Sequence, residues 1–525
     1  MAPSALLDTV HRYPRSLYSV ADEWYRYATE TILTASSSSL KGVAKAANIA
    51  VGRLRVETSD HTYKFRSEEG PSNSSTEPSA VLRVINDTFW IRLCAMSDLG
   101  FGEAFMYGDV ECDDLIPVFL VFMYNKDRLS GLSSGLSWLF RLPQRVIEQR
   151  FLGTLGNSGS NISAHYDLSD DMFRAFLSSD MCYSCAIFAE LDADLKDTPD
   201  LALSASQLQN LNSSSSSFSS GSSSSSRQVE DRSTPATPLA KDDLHSAQLR
   251  KVAHIAKKAR IAPGHRVLDV GCGWGTLAMH VVRTVPGTVV DAITLSKNQY
   301  THASARVAAA GLQDRVRVHL MDYREMPSEW DGAFDRVVSV GMAEHVGREY
   351  LGDYFAVLDR VMKRGSAVGV VQLITMPEEP FDANKEGVGF IGKWTAHQPS
   401  DPFFTVFPGG FLPSLTLLIT ALTSATSSRF VVDSVCNIGP HYARTLREWR
   451  RNFLARFDDT ITKALQADHP EVFEGLQGER ELAVFRRKWI CACCFEAGFT
   501  MRWLNDHIVT FTREGDRTLA CDTFE

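Results

Sequence analysis

From residue 243 onward the spacing of apolar residues alternates between two periods. Repeats every third or fourth position predict helices over Ser246–Ala259, Thr276–Val282, Gln299–Ala310 and Tyr350–Val361. Between them lie short, nearly continuous apolar runs at Arg266–Val270, Thr288–Leu295, Val316–Met321, Asp335–Val340 and Ala367–Ile374. Such runs suit strands covered on both faces, so the rhythm predicts an α/β block over residues 243–525: a mostly parallel sheet between two helical layers. A last extended run, Trp503–Arg513, reads as an antiparallel strand at the sheet edge.

The N-terminal part follows a different pattern. Residues 45–150 mix strand-like runs (Ala80–Val84, Thr88–Ile91) with a helical run over Asp114–Asn125, which predicts a small α+β module. Ser67–Glu77 reads as a loop. Residues 151–198 form a separate segment, followed at about 199–242 by an insert centred on Ser213–Ser226, almost pure serine apart from Phe218 and Gly221. Such a run has too little apolar surface to offset the entropy of ordering.

Composition narrows the function classes. The chain has 525 residues, 44% of them hydrophobic, and a formal net charge of −9. An acidic protein is not drawn to nucleic acid as a whole, so any contact with anionic lipid needs a local basic patch. Arg444, Arg447, Arg450 and Arg451, or Arg486, Arg487 and Lys488, are the candidates. The apolar stretch Phe411–Ala425 is short and holds Pro413, so it is not expected to span a bilayer. Ten cysteines without a disulfide-like framework point to a reducing, cytoplasmic setting. Asp8, Asp22, Glu23 and Glu30 argue against a presequence. Cys491, Cys493 and Cys494 lack companions at metal spacing and read as buried apolar residues; no metal is expected.

The chemistry centres on Val267–Gly275, which reads Val-Leu-Asp-Val-Gly-Cys-Gly-Trp-Gly. A strand running into glycines and then a helix builds a turn against which a ligand can lie close. The spacing of Gly271, Gly273 and Gly275 misses the dinucleotide fingerprint, and Asp269 would repel a pyrophosphate. An acid before the turn suits an ammonium and ribose hydroxyls, which together describe S-adenosylmethionine.

Further runs carry a family resemblance: Met181-Cys-Tyr-Ser-Cys-Ala186, Ile293-Thr-Leu-Ser-Lys297, Asp322-Tyr-Arg324, Gly341-Met-Ala-Glu-His-Val-Gly347, Phe407-Pro-Gly-Gly-Phe-Leu-Pro413 and His441-Tyr-Ala-Arg-Thr445. With His165-Tyr-Asp-Leu-Ser169 upstream, the chain from about 80 to 513 resembles the cyclopropane fatty acid synthases. The resemblance implies a Rossmann-like class I methyltransferase with a mostly parallel seven-stranded sheet. It also implies transfer of a methylene from S-adenosylmethionine across a cis double bond of a phospholipid acyl chain.

Residue roles follow from the same resemblance. Asp269, Gly271 and Gly273 would hold the methionine and ribose parts of the donor. Thr294, Leu295 and Gln299 would replace the usual ribose-binding acid, Asp322 with Tyr323 would meet the adenine, and Tyr183 and Ser184 would cover the cofactor. The family is associated with a bicarbonate that removes a proton, held here by Cys185, Glu344, Gln372 and Tyr442. Gln372 stands where bacterial members carry His, as in plant-type enzymes; it can donate a hydrogen bond but cannot titrate. Phe403, Phe404, Phe407, Phe411, Leu412 and Leu415 are candidates for lining an acyl cavity, and the N-terminal module for engaging lipid or supporting a homodimer. Glu103, Asp113 and Asp114 read as fold determinants. Two other readings stay open: lipid C-methylation without a ring, as in sphingolipid C9-methyltransferases, and a non-catalytic lipid binder.

Overall fold

The computed structural model of the protein describes residues 49–66, 77–96, 98–129, 169–196, 243–378 and 411–516. The serine-rich insert, His165–Leu168, Phe403, Phe404, Phe407 and most of the Ser67–Glu77 loop lie outside the described residues.

The N-terminal module contains β1 (Arg53–Glu57), β2 (Thr62–Arg66), β3 (Ser79–Val84) and β4 (Val110–Glu111), in the order β2-β1-β3-β4. Alternation along β1 and β3 turns Leu54, Val56, Ala80 and Leu82 to one face, where they pack with Phe89, Phe101 and Phe119. Cys491 and Cys494, from the far end of the chain, complete this core, and Cys493 is buried beside them. The strand expected at Thr88–Ile91 is instead the start of a helix, Thr88–Met96. The Asn86 side chain accepts from the Thr88 N–H (3.0 Å), and this local cap overrides the β-branched content of the run. Glu103 and Asp109 both bind Arg92 at 2.9 Å, Asp113 pairs with Arg83, and Asp114 caps the helix Leu115–Tyr124.

The large sheet contains β5 (Arg266–Val270), β6 (Val289–Thr294), β7 (Val316–Leu320), β8 (Arg336–Val340), β9 (Val368–Thr375), β10 (Phe430–Asn437) and β11 (Asn505–Arg513). Their order is β10-β11-β9-β8-β5-β6-β7, with β5 to β9 parallel and β11 antiparallel to both its neighbours. Helices Leu244–Lys258, Thr276–Thr284, Lys297–Ala309 and Leu351–Val361 fill the connections. The strand order reverses at β5 and β8, which opens a crevice at their carboxyl ends. β11 is an interior strand, not the edge expected. β10, which alternates buried and exposed positions over Phe430–Asn437, covers its outer side.

Part of each basic cluster turns inward. Arg447 donates to Asp194 (2.8 and 3.1 Å) and Glu496 (3.0 Å), and Arg450 lies 3.5 Å from Glu496. Arg444, Arg447 and Lys488 are buried. Guanidinium groups placed opposite buried acids are drawn inward by charge pairing. Among the described residues no helix is long and apolar enough to cross a membrane; Phe411–Ala425 supplies an eleven-residue helix, Leu415–Ala425.

Candidate active site

Two spaces open at the carboxyl edge of the sheet, and they share Tyr183, Ser184, Gly341 and His345 in their walls. The first is a polar cleft of about 970 Å³, mouth included, over the ends of β5, β6 and β8.

Asp269 lies in this cleft, and its Oδ2 is buried without a hydrogen-bond partner among the described residues. Burial pushes its carboxyl up to about 7, against the pull of Lys251. Gly271 takes φ +80°, and a Cβ there would meet the Met342 side chain at 2.7 Å. Gly273, at φ +53°, has nothing within 4 Å of a built Cβ: the main chain faces open space on the cleft side. Thr294 Oγ1 donates to Gln299 Oε1 at 2.7 Å, and Ser296 caps their shared turn through the Gln299 N–H. Leu295 and Tyr323 also line the cleft.

Asp322 does not. Its carboxylate caps the Arg324 N–H and forms an ion pair with Arg324 at 2.7 Å. Met321 and Tyr323 flank the cleft at that point. Sequence reading missed Lys251, whose Nζ donates to Ser184 Oγ at 2.8 Å inside the same cleft. The signal was available. Leu244, Ala247, Gln248, Lys251, Val252 and Ile255 form the buried stripe of one helix, and a lysine in that stripe needs a partner.

An unpartnered buried carboxylate, an exposed glycine main chain and a Thr–Gln pair make a donor set that fits the ammonium, carboxylate and ribose of S-adenosylmethionine. Lys251 places a cation in the same cleft.

The second space is an apolar cavity of about 1020 Å³, open solvent at its mouth included. Its walls include Phe176, Leu412, Trp449, Phe453, Trp489 and Phe499. Of the lining expected from sequence, Leu412 is present; Phe411 donates its N–H to the Glu344 carbonyl (2.7 Å), and Leu415 packs elsewhere in the core. Tyr442, Leu446, Trp449 and Phe453 come from helix Gly439–Arg456, and Trp489, Ala492 and Cys493 from helix Gly475–Cys493, neither of which the sequence reading assigned. Tyr442, Trp449 and Phe453, spaced seven and then four residues apart, were the available sign of an inward aromatic face.

Several polar groups enter this cavity. Glu344, Gln372, Tyr442 and Asp506 all line it. Glu344 Oε1 accepts the Ile374 N–H at 2.8 Å, and burial pushes the carboxyl up to about 8. Gln372 Nε2 donates to Asp506 Oδ2 at 3.2 Å, and burial pushes Asp506 up to about 7. Tyr442 stacks on Phe499 at 4.4 Å, its phenol held well above the usual range by burial. Cys185 does not line the cavity; its buried thiol lies 3.7 Å from the Ile438 carbonyl.

Asp506 is the second residue missed. It is the second residue of β11, and because β11 runs antiparallel its first residues arrive where the parallel strands end. The register sets Asp506 opposite Ile374 and Ile508 opposite Gln372, so the Asp506 and Gln372 side chains meet diagonally on one face.

These features define a class I S-adenosylmethionine-dependent methyltransferase, and comparison with known proteins agrees. A solved coclaurine N-methyltransferase bound to N-methylheliamine and SAH superposes with a TM-score of 0.50 at 17% identity, over 78% of this chain and 98% of that one, which supports the fold. A family model described as mycolic acid cyclopropane synthetase matches residues 155–214 and 236–490, breaking off where the serine run lies.

The tuberculostearic acid methyltransferase UfaA1 of Mycobacterium tuberculosis is 31% identical over 480 residues, 90% of this chain and 94% of that protein. The cyclopropane-fatty-acyl-phospholipid synthase of Escherichia coli K12 is 30% identical over 406 residues, 76% of this chain and 84% of that protein. The chain belongs to the mycolic acid cyclopropane synthetase family.

Proposed function

We propose that the protein adds a one-carbon unit from S-adenosylmethionine across the cis double bond of an unsaturated phospholipid acyl chain, closing a cyclopropane. The observation that carries this reading is the junction of the two spaces. A polar cleft suited to a sulfonium donor meets an aromatic cavity suited to a hydrocarbon chain, across walls formed by Tyr183, Ser184, Gly341 and His345.

S-adenosylmethionine supplies an electrophilic methyl group. The protein's own part is placement: Asp269, Lys251 and the glycine turn fix one end of the donor, and the cavity fixes the alkene, so the two reactants meet in line. An alkene is a weak nucleophile and its alkylation leaves a cation. The faces of Trp449, Trp489 and Phe499 stabilise that charge. Because such a substrate resides in a bilayer, the enzyme works at a membrane surface.

Similarity to the tuberculostearic acid methyltransferase favours a second reading, in which the product is a methyl-branched chain without a ring. One experiment separates the two. The full-length protein is expressed in a host lacking this activity, and its phospholipid fatty acids are analysed by mass spectrometry before and after hydrogenation. A gain of one CH₂ on monounsaturated chains as a hydrogenation-resistant ring supports cyclopropanation; a branched chain supports the second reading. No lipid change overturns both.

A further inference from the structure

We propose that Lys251 binds the carboxylate of S-adenosylmethionine, so that this lysine and Asp269 together hold the two charges of the donor's amino-acid end. The assignment rests on the donor part of the reading above and not on ring closure.

Lys251 and Asp269 are 3% and 2% exposed, and both line the polar cleft. Opposite charges buried so deeply are ordinarily paired, because an unpaired ion loses its hydration without return. These two are not paired with each other. Among the described residues Lys251 Nζ donates to Ser184 Oγ and to no acid, and Asp269 Oδ2 has no hydrogen-bond partner. The lysine is still near enough to draw the Asp269 carboxyl down against the push of burial. A cation and an acid held apart in one cleft leave a place for a ligand that carries both signs. The amino-acid end of S-adenosylmethionine is such a zwitterion.

The glycine turn is the other structure that could take a carboxylate, and three of its N–H groups are already spent. Gly271 and Cys272 donate to the Ile293 carbonyl at 3.0 and 2.9 Å, and Gly275 donates to the Cys272 carbonyl at 3.0 Å. The Thr294 hydroxyl serves Gln299. An ammonium has three protons, so Lys251 can serve Ser184 and a carboxylate together.

The helix that carries Lys251, Leu244–Lys258, also fixes the segment dividing the two spaces. Gln248, one turn before Lys251, donates to the Ser184 carbonyl at 2.8 Å, and the Ala247 carbonyl accepts the Ile187 N–H at 3.1 Å. Ser184 is thus held through its main chain and its hydroxyl from one helix face, and it lines both the cleft and the cavity. Anchoring the donor's carboxylate at Lys251 sets how far the rest of the molecule reaches toward that shared wall, which in-line transfer requires.

The test is calorimetric titration of the full-length protein with two ligands: S-adenosylmethionine, and its decarboxylated form, which keeps the sulfonium and the ammonium. Wild type is expected to bind the first about 10–100-fold more tightly, the worth of one hydrogen bond between charged groups. Lys251→Met should lose about that factor for S-adenosylmethionine while the Kd of the decarboxylated ligand moves less than about threefold. Asp269→Asn, facing the ammonium that both ligands share, should weaken both. A merely structural lysine would weaken both ligands alike on replacement, and that result overturns the assignment. So does a Lys251→Met protein that keeps the wild-type preference, or a wild type that binds the two ligands within about threefold of each other. Where Lys251→Met does not fold, Lys251→Gln, which keeps an N–H donor without the charge, gives the same comparison. Wild-type protein that binds neither ligand nor S-adenosylhomocysteine sinks the donor reading instead.

Discussion

The protein buries two groups of carboxylates and treats them in opposite ways. Asp194 and Glu496 face guanidinium groups, Arg447 within 3.0 Å of both and Arg450 at 3.5 Å from Glu496. Glu344 and Asp506 are as deeply buried, yet each keeps one oxygen unpartnered toward an apolar cavity. Burial of an unpaired acid costs free energy, and a fold does not sustain that cost without compensation. The paired acids are held by arginines; the unpaired ones line the apolar cavity.

The largest test of this contrast exchanges carboxyl for amide in each group. Glu344→Gln should lower turnover by about 10³-fold with donor affinity nearly unchanged, read by product formation and calorimetric titration. Glu496→Gln breaks a buried ion network and should cost ~3 kcal/mol of folding stability; the rate per folded molecule should stay ordinary. A stable Glu496→Gln protein with a dead active site would reverse the two roles.

In the cleft, Asp269→Asn should weaken S-adenosylmethionine binding by about 10–100-fold, the worth of one hydrogen bond to a charged group. Titration calorimetry reads it directly. An unchanged Kd would show that Asp269 is a turn residue.

The pH profile of turnover sharpens the comparison further. Burial raises Asp506 to about 7 and Glu344 to about 8, so if either takes part in the chemistry turnover should change with pH across the neutral range. A plateau from pH 5 to 9 would exclude both acids from the rate-limiting chemistry.

Stability depends on pH as well. The folded-state pKa of Asp506 is raised above its unfolded value, so its contribution is fully present below about 4 and is lost as pH rises through about 7. Asp506→Asn should therefore stabilise the donor-free protein by ~1–3 kcal/mol at pH 8 and hardly at all at pH 4. Thermal unfolding at the two pH values checks this, with Glu496→Gln as the destabilised counterpart. The smallest effect is expected from deleting residues 205–235, which should change turnover less than about twofold, since a serine-rich run buries little.

The sequence made the cleft legible because its parts are local. Val267–Gly275 and Thr294–Gln299 each form a strand, a turn and a helix start within a few residues, so the side chains that meet are close in the chain. Strands β5 to β9 were readable for the same reason: long apolar runs with strand length leave few alternatives. The cavity is a different matter. Tyr183, Glu344, Gln372, Trp449 and Asp506 come from five distant segments, and no spacing rule brings them together.

By itself the sequence determined the α/β rhythm, the donor-binding turn and the family, since these rest on hydrophobic period and contiguous motifs. Tertiary structure alone decided that Asp506 meets Gln372, that the basic helix turns its arginines inward, and that Lys251 reaches the donor cleft. The physical reason is that strand direction, register and the pairing of buried charge depend on the whole chain being folded, and leave no mark in any local stretch of residues.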